Sequence, residues 1–202
     1  METKVDDNHY TTKGKKFARV TRILEVVGLT DFSKIPERSR EYYMARGSMN
    51  HLMFQKVEEG TADNYDWDPR CEVYRAGHAA FLRDTGFKAI PGGIEMRVSA
   101  PWSFFGLPQG GEEEGVCGTL DRLGRMQGNL TLLDYKTTTV HPCCAIQTAL
   151  YALMLPDHNF GEVRRFGVAI LKNGRYKMTP EYQYSDKAAA IEALRKYRQE
   201  VK

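Results

Sequence analysis

From Val116 to Thr137 apolar and polar positions alternate with a period of about two on either side of a glycine-containing turn. That is the pattern of a hairpin with one face on a core. VCGTLDRLG and LTLLDYKT supply the strands and RMQGN the turn, while IEMRVSA, further upstream, alternates in the same way. The loop before the hairpin, PWSFFGLPQGGEEEG, is rich in Gly, Pro and Glu, and its GGEEEG part reads as a mobile insertion. Elsewhere the period is helical. Val20, Ile23, Leu24 and Val27 share a face of FARVTRILEVVG, which Gly28 stops; Pro36 suits the first turn of a helix, and PERSREYYMARG and SMNHLMFQKVEEG follow as helical patterns broken or joined at Gly47. DPRCEVYRAGHAAFLRDTG reads as another helix, closed by Gly86. Ile146, Ala149, Leu150, Leu153 and Met154 mark a helix after the hairpin. FGVAILK and RYKMTPEY then form a second hairpin around Asn173 and Gly174, and SDKAAAIEALRKYRQE is a terminal helix opened by Ser185 or Asp186. Helices, three strands, helix, two strands and helix make an α/β chain: a central mixed sheet flanked by helices, with the N-terminal third mostly helical. Residues 1–16 are polar and expected to form a flexible arm, and residues 17–202 a single domain.

Composition narrows the class without naming a function. The 202 residues are 42% hydrophobic and 27% charged, as in soluble globular chains, and no apolar run has the length of a membrane span. The N-terminal METKVDDNHYTTKGKK is too polar for a signal peptide, so an intracellular setting is expected. Cys71, Cys117, Cys143 and Cys144 form no CxxC pair and are expected to be buried or idle thiols. A net charge of +3 permits a polyanionic partner but does not argue for one. Lys13, Lys15, Lys16 and Arg19 form a basic stretch that would suit phosphates or simply be solvated. Packing is the default for Trp67 and Trp102, and a surface position for His9, His78, His141 and His158.

The hairpin carries the chemistry. Asp134 and Lys136, two apart on a strand, project from one face roughly 6 to 7 Å apart. If the hairpin is symmetric about Gln127 and Gly128, facing residues sum to 255 and Asp121 lies opposite Asp134, with Cβ atoms about 4.5 to 5.5 Å apart. Two facing carboxylates repel unless a cation lies between them, and hard oxygen ligands suit Mg²⁺ or Mn²⁺. An adjacent ammonium would then orient or help deprotonate the water and offset developing charge at a scissile phosphate. A lone D-x-K, however, more often belongs to an ordinary exposed strand face.

Further features in order complete a pattern that resembles the RecB-like exonuclease branch of the PD-(D/E)xK nuclease superfamily. They are a helix with His51 in RGSMNH, a strand with Glu95 in GIEMRV, GTLD ending at Asp121, DYKTT, and Gln147 and Tyr151 in QTALY. The resemblance covers roughly residues 20–155 and implies a restriction-endonuclease-like core. It further implies that His51, Asp121, Asp134 and the backbone carbonyl of Tyr135 hold the metal, with Glu95 as a further acid that binds it or faces solvent. Lys136 would act on the water, and Gln147 and Tyr151 would orient Lys136 or touch the substrate. Thr137 is a phosphate contact or a plain strand residue. The implied activity is an Mg²⁺- or Mn²⁺-dependent exonuclease acting on single- or double-stranded DNA ends in recombination, repair or phage DNA metabolism. The setting would be the cytoplasm of a bacterium or phage-infected host, or an organelle, with an annealing protein or helicase as a partner. A structure-specific endonuclease of the same fold and a catalytically idle binding subunit are the alternatives. No cysteine follows Cys144, which disfavours the iron–sulfur subgroup, and no G-x-x-x-x-G-K-[ST] motif offers a nucleotide site.

Overall fold

In the computed structural model, which describes residues 4–5, 9–12, 14–31 and 36–201, the alternating hairpin is the centre of a mixed sheet of eight strands. Three short strands open the chain: β1 (Lys4–Val5), β2 (His9–Thr12) and β3 (Lys15–Arg19). Helices α1 (Val20–Val26), α2 (Glu37–Glu58), α3 (Pro69–Glu72) and α4 (Arg75–Thr85) follow. Next come β4 (Lys88–Pro101), β5 (Glu113–Met126), β6 (Asn129–Lys136) and α5 (Cys144–Leu153). β7 (Arg164–Ile170), β8 (Tyr176–Met178) and α6 (Asp186–Glu200) complete the fold. The strand order is β1-β2-β3-β5-β6-β7-β8, with β4 also on β5; β3 with β5 and β6 with β7 are the parallel pairs. No helix among the described residues is long and apolar enough to cross a membrane.

Apolar residues of the sheet point into two cores. Leu132 joins Val20, Leu24, Leu120, Leu150 and Leu194 on the side of α1, α5 and α6. Its neighbour Leu133, with Tyr135, packs on Phe54 and Phe81 on the side of α2 and α4, as strand alternation requires. The β5–β6 turn is tight: Gln127 and Gly128 take φ of 52° and 83°, as in a two-residue type I′ hairpin. Pairing then runs from Met126 with Asn129 to Arg122 with Leu133, so each pair sums to 255 as the sequence predicts.

β4 runs along one edge of β5. Along the other edge β3 pairs with Glu113 to Cys117 and β6 with Arg122 to Met126, one after the other. Positions 118–121 lie between them, with no strand partner on that edge among the described residues. At this fork the alternation of β5 changes phase: Leu120 and Leu123, three apart, both enter the same core.

The ends differ most from the sequence reading. Within the stretch expected to be a flexible arm, residues 4–5, 9–12 and 15–16 belong to paired strands, and Phe17 to Arg19 extend β3 where the apolar period predicted helix. The GGEEEG segment is held as well. Lys16 Nζ lies 3.4 Å from Glu112, Lys15 Nζ 3.5 Å from Glu114, and the buried Glu113 carboxylate accepts the Tyr197 hydroxyl at 2.7 Å. Composition read as mobility misses such partners because they lie about a hundred residues away. Gly47 sits inside one continuous helix, while the helix expected over DPRCEVYRAGHAAFLRDTG is broken between α3 and α4.

Candidate active site

The fork in β5 is where the candidate side chains meet. On α2, burial of Met53 and Phe54 seats the helix on the sheet, and His51 reaches Asp121 midway along β5, where pairing changes hands. On β4 the register shifts between Ala89 and Ile94, then pairs Ile94 with Arg122 and Met96 with Leu120. Glu95 falls between those pairs, level with Asp121, at a φ of 48°, a left-handed conformation that costs a non-glycine residue about 1 kcal/mol or more. Bulges of this kind re-aim a side chain. Here the carboxylate that simple alternation would leave in solvent reaches the site.

His51 Nδ1 lies 3.1 Å from Glu95 Oε1 and 3.5 Å from Asp121 Oδ1. The three residues offer ligand atoms all within 4.8 Å of one another. Asp121 does not simply face Asp134 across the ladder. Its Oδ2 accepts the backbone N–H of Tyr135 at 2.6 Å, so the carboxylate takes over the strand's hydrogen bonding just where pairing stops.

Asp134 and Lys136 share a face, as their spacing predicts, and are paired: Lys136 Nζ is 2.5 Å from Asp134 Oδ2, which the Cys144 thiol also approaches at 3.3 Å. Asp134 is 1% exposed, and its other oxygen, Oδ1, is buried with no hydrogen-bond partner. Tyr135 points to the opposite core, where its hydroxyl lies 3.3 Å from His78 Nε2. Gln147 donates to the Tyr151 hydroxyl at 3.2 Å. Tyr151 is buried, with its ring over Gly118, where an added Cβ would stand 2.5 Å from ring carbon Cε1. The glycine of GTLD thus admits the tyrosine of QTALY. Thr137 is half-buried just past the end of β6.

Charge and burial compete at every group. Burial alone would lower the His51 imidazole, but Asp121 and Glu95 outweigh it and hold its pKa above the usual value. For Glu95 burial would favour the neutral acid, yet His51 and Arg122 keep it below the usual carboxylate range. Burial pushes Asp134 up, with Asp121 adding to the effect and Lys136 opposing it. Against the same burial, Asp134 and Asp121 raise Lys136 and keep it an ammonium.

Sequence reasoning missed the groups behind these residues. Arg122, 0% exposed, donates from Nε to Glu58 at 2.7 Å and from Nη1 to the Asp121 carbonyl at 2.7 Å. Nη1 also reaches Glu95 Oε1 at 3.1 Å, and Nη2 the His51 carbonyl at 3.3 Å. His78, expected at the surface, is fully buried, stacks on Phe54 with ring centroids 4.5 Å apart and lies 3.2 Å from Glu58. Burial holds its imidazole below the usual value despite Glu58. Among the described residues, the remaining signal in the sequence was a charged residue, Arg122, at a position that the flanking alternation assigns to a core.

A divalent cation fits this site on two counts. An imidazole nitrogen and two carboxylates already converge, and in Asp134 Oδ1 a buried anionic oxygen lacks the partner that such groups normally find.

A mixed sheet flanked by helices, with a strand hairpin presenting Asp121, Asp134 and Lys136, defines a restriction-endonuclease-like nuclease core. The family model for the PD-(D/E)XK nuclease superfamily matches residues 26–202, and the chain belongs to that superfamily, whose members generally use divalent metals. The fold is similar to that of a Eubacterium rectale protein bearing a provisional exonuclease name, with a TM-score of 0.54 and 14% identity over 92% of this chain and 83% of that one. The crystal structure of SSO0001 overlaps with a TM-score of 0.47 and 11% identity over 93% of this chain and 77% of that one. No curated protein matches the sequence.

Proposed function

We propose that the chain is a divalent-metal-dependent DNA exonuclease of the RecB-like type. The observation that carries this reading is the meeting of His51, Glu95 and Asp121 beside the unpartnered buried oxygen of Asp134. In it, His51, Asp121, Asp134, the Tyr135 carbonyl and Glu95 hold Mg²⁺ or Mn²⁺. When bound, the ion supplies Lewis-acid polarisation of a phosphate and a lowered pKa for water.

The chain's own groups do the rest. Lys136, held as an ammonium by Asp134, donates to the non-bridging oxygens or the attacking water and offsets charge as the phosphate reacts. An ammonium cannot take a proton, so its part is that of donor rather than base. Gln147 borders the same helix face and orients the substrate backbone or Lys136, while Tyr151, being buried, acts through Gln147. Thr137 contacts phosphate just past the strand end. A cleft of about 410 Å³ lined by Gly47, Ser48, His51, Leu52, Gln55 and Glu95 opens on the site and admits the strand to be cut.

End dependence follows from the branch resemblance and is tested with end-labelled linear DNA beside covalently closed circular DNA. Mg²⁺- or Mn²⁺-dependent loss of the linear form alone, stopped by EDTA, is the expected result. Cutting of the closed circle would replace the exonuclease by an endonuclease of the same fold.

A further inference from the structure

Arg122 is placed where few arginines are found: fully buried, between α2 and the sheet, with its guanidinium 5.4 Å over the Tyr135 ring. An uncompensated charge there would be costly. Four contacts are made, using four of the five N–H groups of the fork. One goes to Glu58 on α2, one to the Glu95 carboxylate on β4, one to the Asp121 carbonyl on β5 and one to the His51 carbonyl on α2. Three of the four therefore end on the residues whose side chains converge at the cation site. The fourth is an anchor: Glu58 Oε1 receives Nε at 2.7 Å and is itself 3.2 Å from His78 Nε2.

The contact with Glu95 explains how a strained residue stays put. Glu95 Oε1 lies 3.1 Å from Arg122 Nη1 and 3.1 Å from His51 Nδ1, so guanidinium and imidazole hold one oxygen between them. Without the guanidinium, only the His51 imidazole among these partners would oppose relaxation of the φ of 48° and withdrawal of the half-exposed carboxylate into solvent. Lysine cannot substitute, since a single ammonium has no planar fork to span two strands and a helix.

Resting on the reading of the site as a divalent-cation centre, we infer that Arg122 is a positioning residue: its buried guanidinium sets the spacing of His51, Glu95 and Asp121, and so governs affinity for the cation rather than for DNA. Groups behind metal ligands commonly act this way, and their loss costs about 10- to 100-fold in metal affinity.

The test is direct Mn²⁺ binding, read from the electron paramagnetic resonance signal of free Mn²⁺, with wild type, Arg122→Lys and Glu58→Gln, each checked for folding by circular dichroism. Wild type binds Mn²⁺. Arg122→Lys weakens binding about 10-fold or more, leaves the KM for DNA unchanged and recovers most of kcat at saturating Mn²⁺. Glu58→Gln, which loosens the anchor and keeps the guanidinium, shifts binding in the same direction by a smaller factor, and decides the matter if Arg122→Lys does not fold. A purely structural arginine would lower the melting temperature and leave the Mn²⁺ affinity of folded variants at the wild-type value, which overturns the inference while the cation centre stands. A wild-type protein that binds no Mn²⁺ overturns the cation centre and this inference together.

Discussion

His51 is the residue whose protonation the site controls most visibly. Its pKa is raised against burial by Asp121 and Glu95, so in the metal-free protein the imidazolium stabilises the fold. For a raised pKa the stabilisation is fully present below the unfolded value of about 6.5 and is lost as pH rises through the native value. His78, whose pKa is lowered, contributes with the opposite sign, so the comparison must be between wild type and His51→Asn. Urea unfolding should show an advantage for wild type at pH 5.5 that shrinks by pH 8.5; a difference independent of pH would contradict the assigned partners. Gly118 makes a second prediction at this scale. A Cβ would stand 2.5 Å from the buried Tyr151 ring, so Gly118→Ala should destabilise by about 1–3 kcal/mol in denaturant unfolding. Most of the residues that meet here were legible as a series of short motifs, since His51, Glu95, Asp121, Asp134 and Lys136 occur in chain order. Arg122 and His78 were not, because a lone arginine or histidine in sequence carries no sign of the buried carboxylate, here Glu58, that makes its burial tolerable.

Among the elements, the β5–β6 hairpin was the most readable, because Gln127 and Gly128 suit a two-residue turn and the turn sets every pair after it. The extrapolation from that register stops one pair short of the site. At Asp121 the ladder ends, and the carboxylate bonds the Tyr135 backbone instead of merely facing Asp134. The β4 bulge was not readable either, since alternation in IEMRVSA gives Glu95 to solvent and one irregular residue reverses that. The bulge rests on close backbone contact: a Cβ on Gly93 would lie 2.1 Å from the Leu123 carbonyl oxygen, and Gly92 has a φ of 74°. Gly93→Ala should therefore shift β4 against β5, at a cost of about 1–3 kcal/mol. Mn²⁺ binding should weaken with it. A variant destabilised away from β4, for instance by Gly77→Ala, whose Cβ would meet the Leu171 and Arg175 carbonyl oxygens, should keep its Mn²⁺ affinity, and equal losses in both would detach Glu95 from the site.

For the whole molecule, the class was readable from the succession of periods, helical then alternating then helical, because each element buries one face. What the succession did not carry is the sharing of one β5 edge between β3 and β6. That arrangement depends on N-terminal strands whose lysines, Lys15 and Lys16, pair with Glu114 and Glu112 at the start of β5. The fork it creates puts a helix histidine, a bulged glutamate and the hairpin acids at one place, and it is this geometry that the proposed hydrolysis requires. The most direct test is the initial rate of Mn²⁺-dependent nucleotide release from uniformly labelled linear DNA by wild type, Asp134→Ala and Lys136→Ala, with folding verified for each. The proposed hydrolysis predicts release by wild type that EDTA abolishes and that either substitution reduces by about 10²- to 10³-fold or more. A folded Lys136→Ala protein that releases nucleotides at the wild-type rate would contradict it.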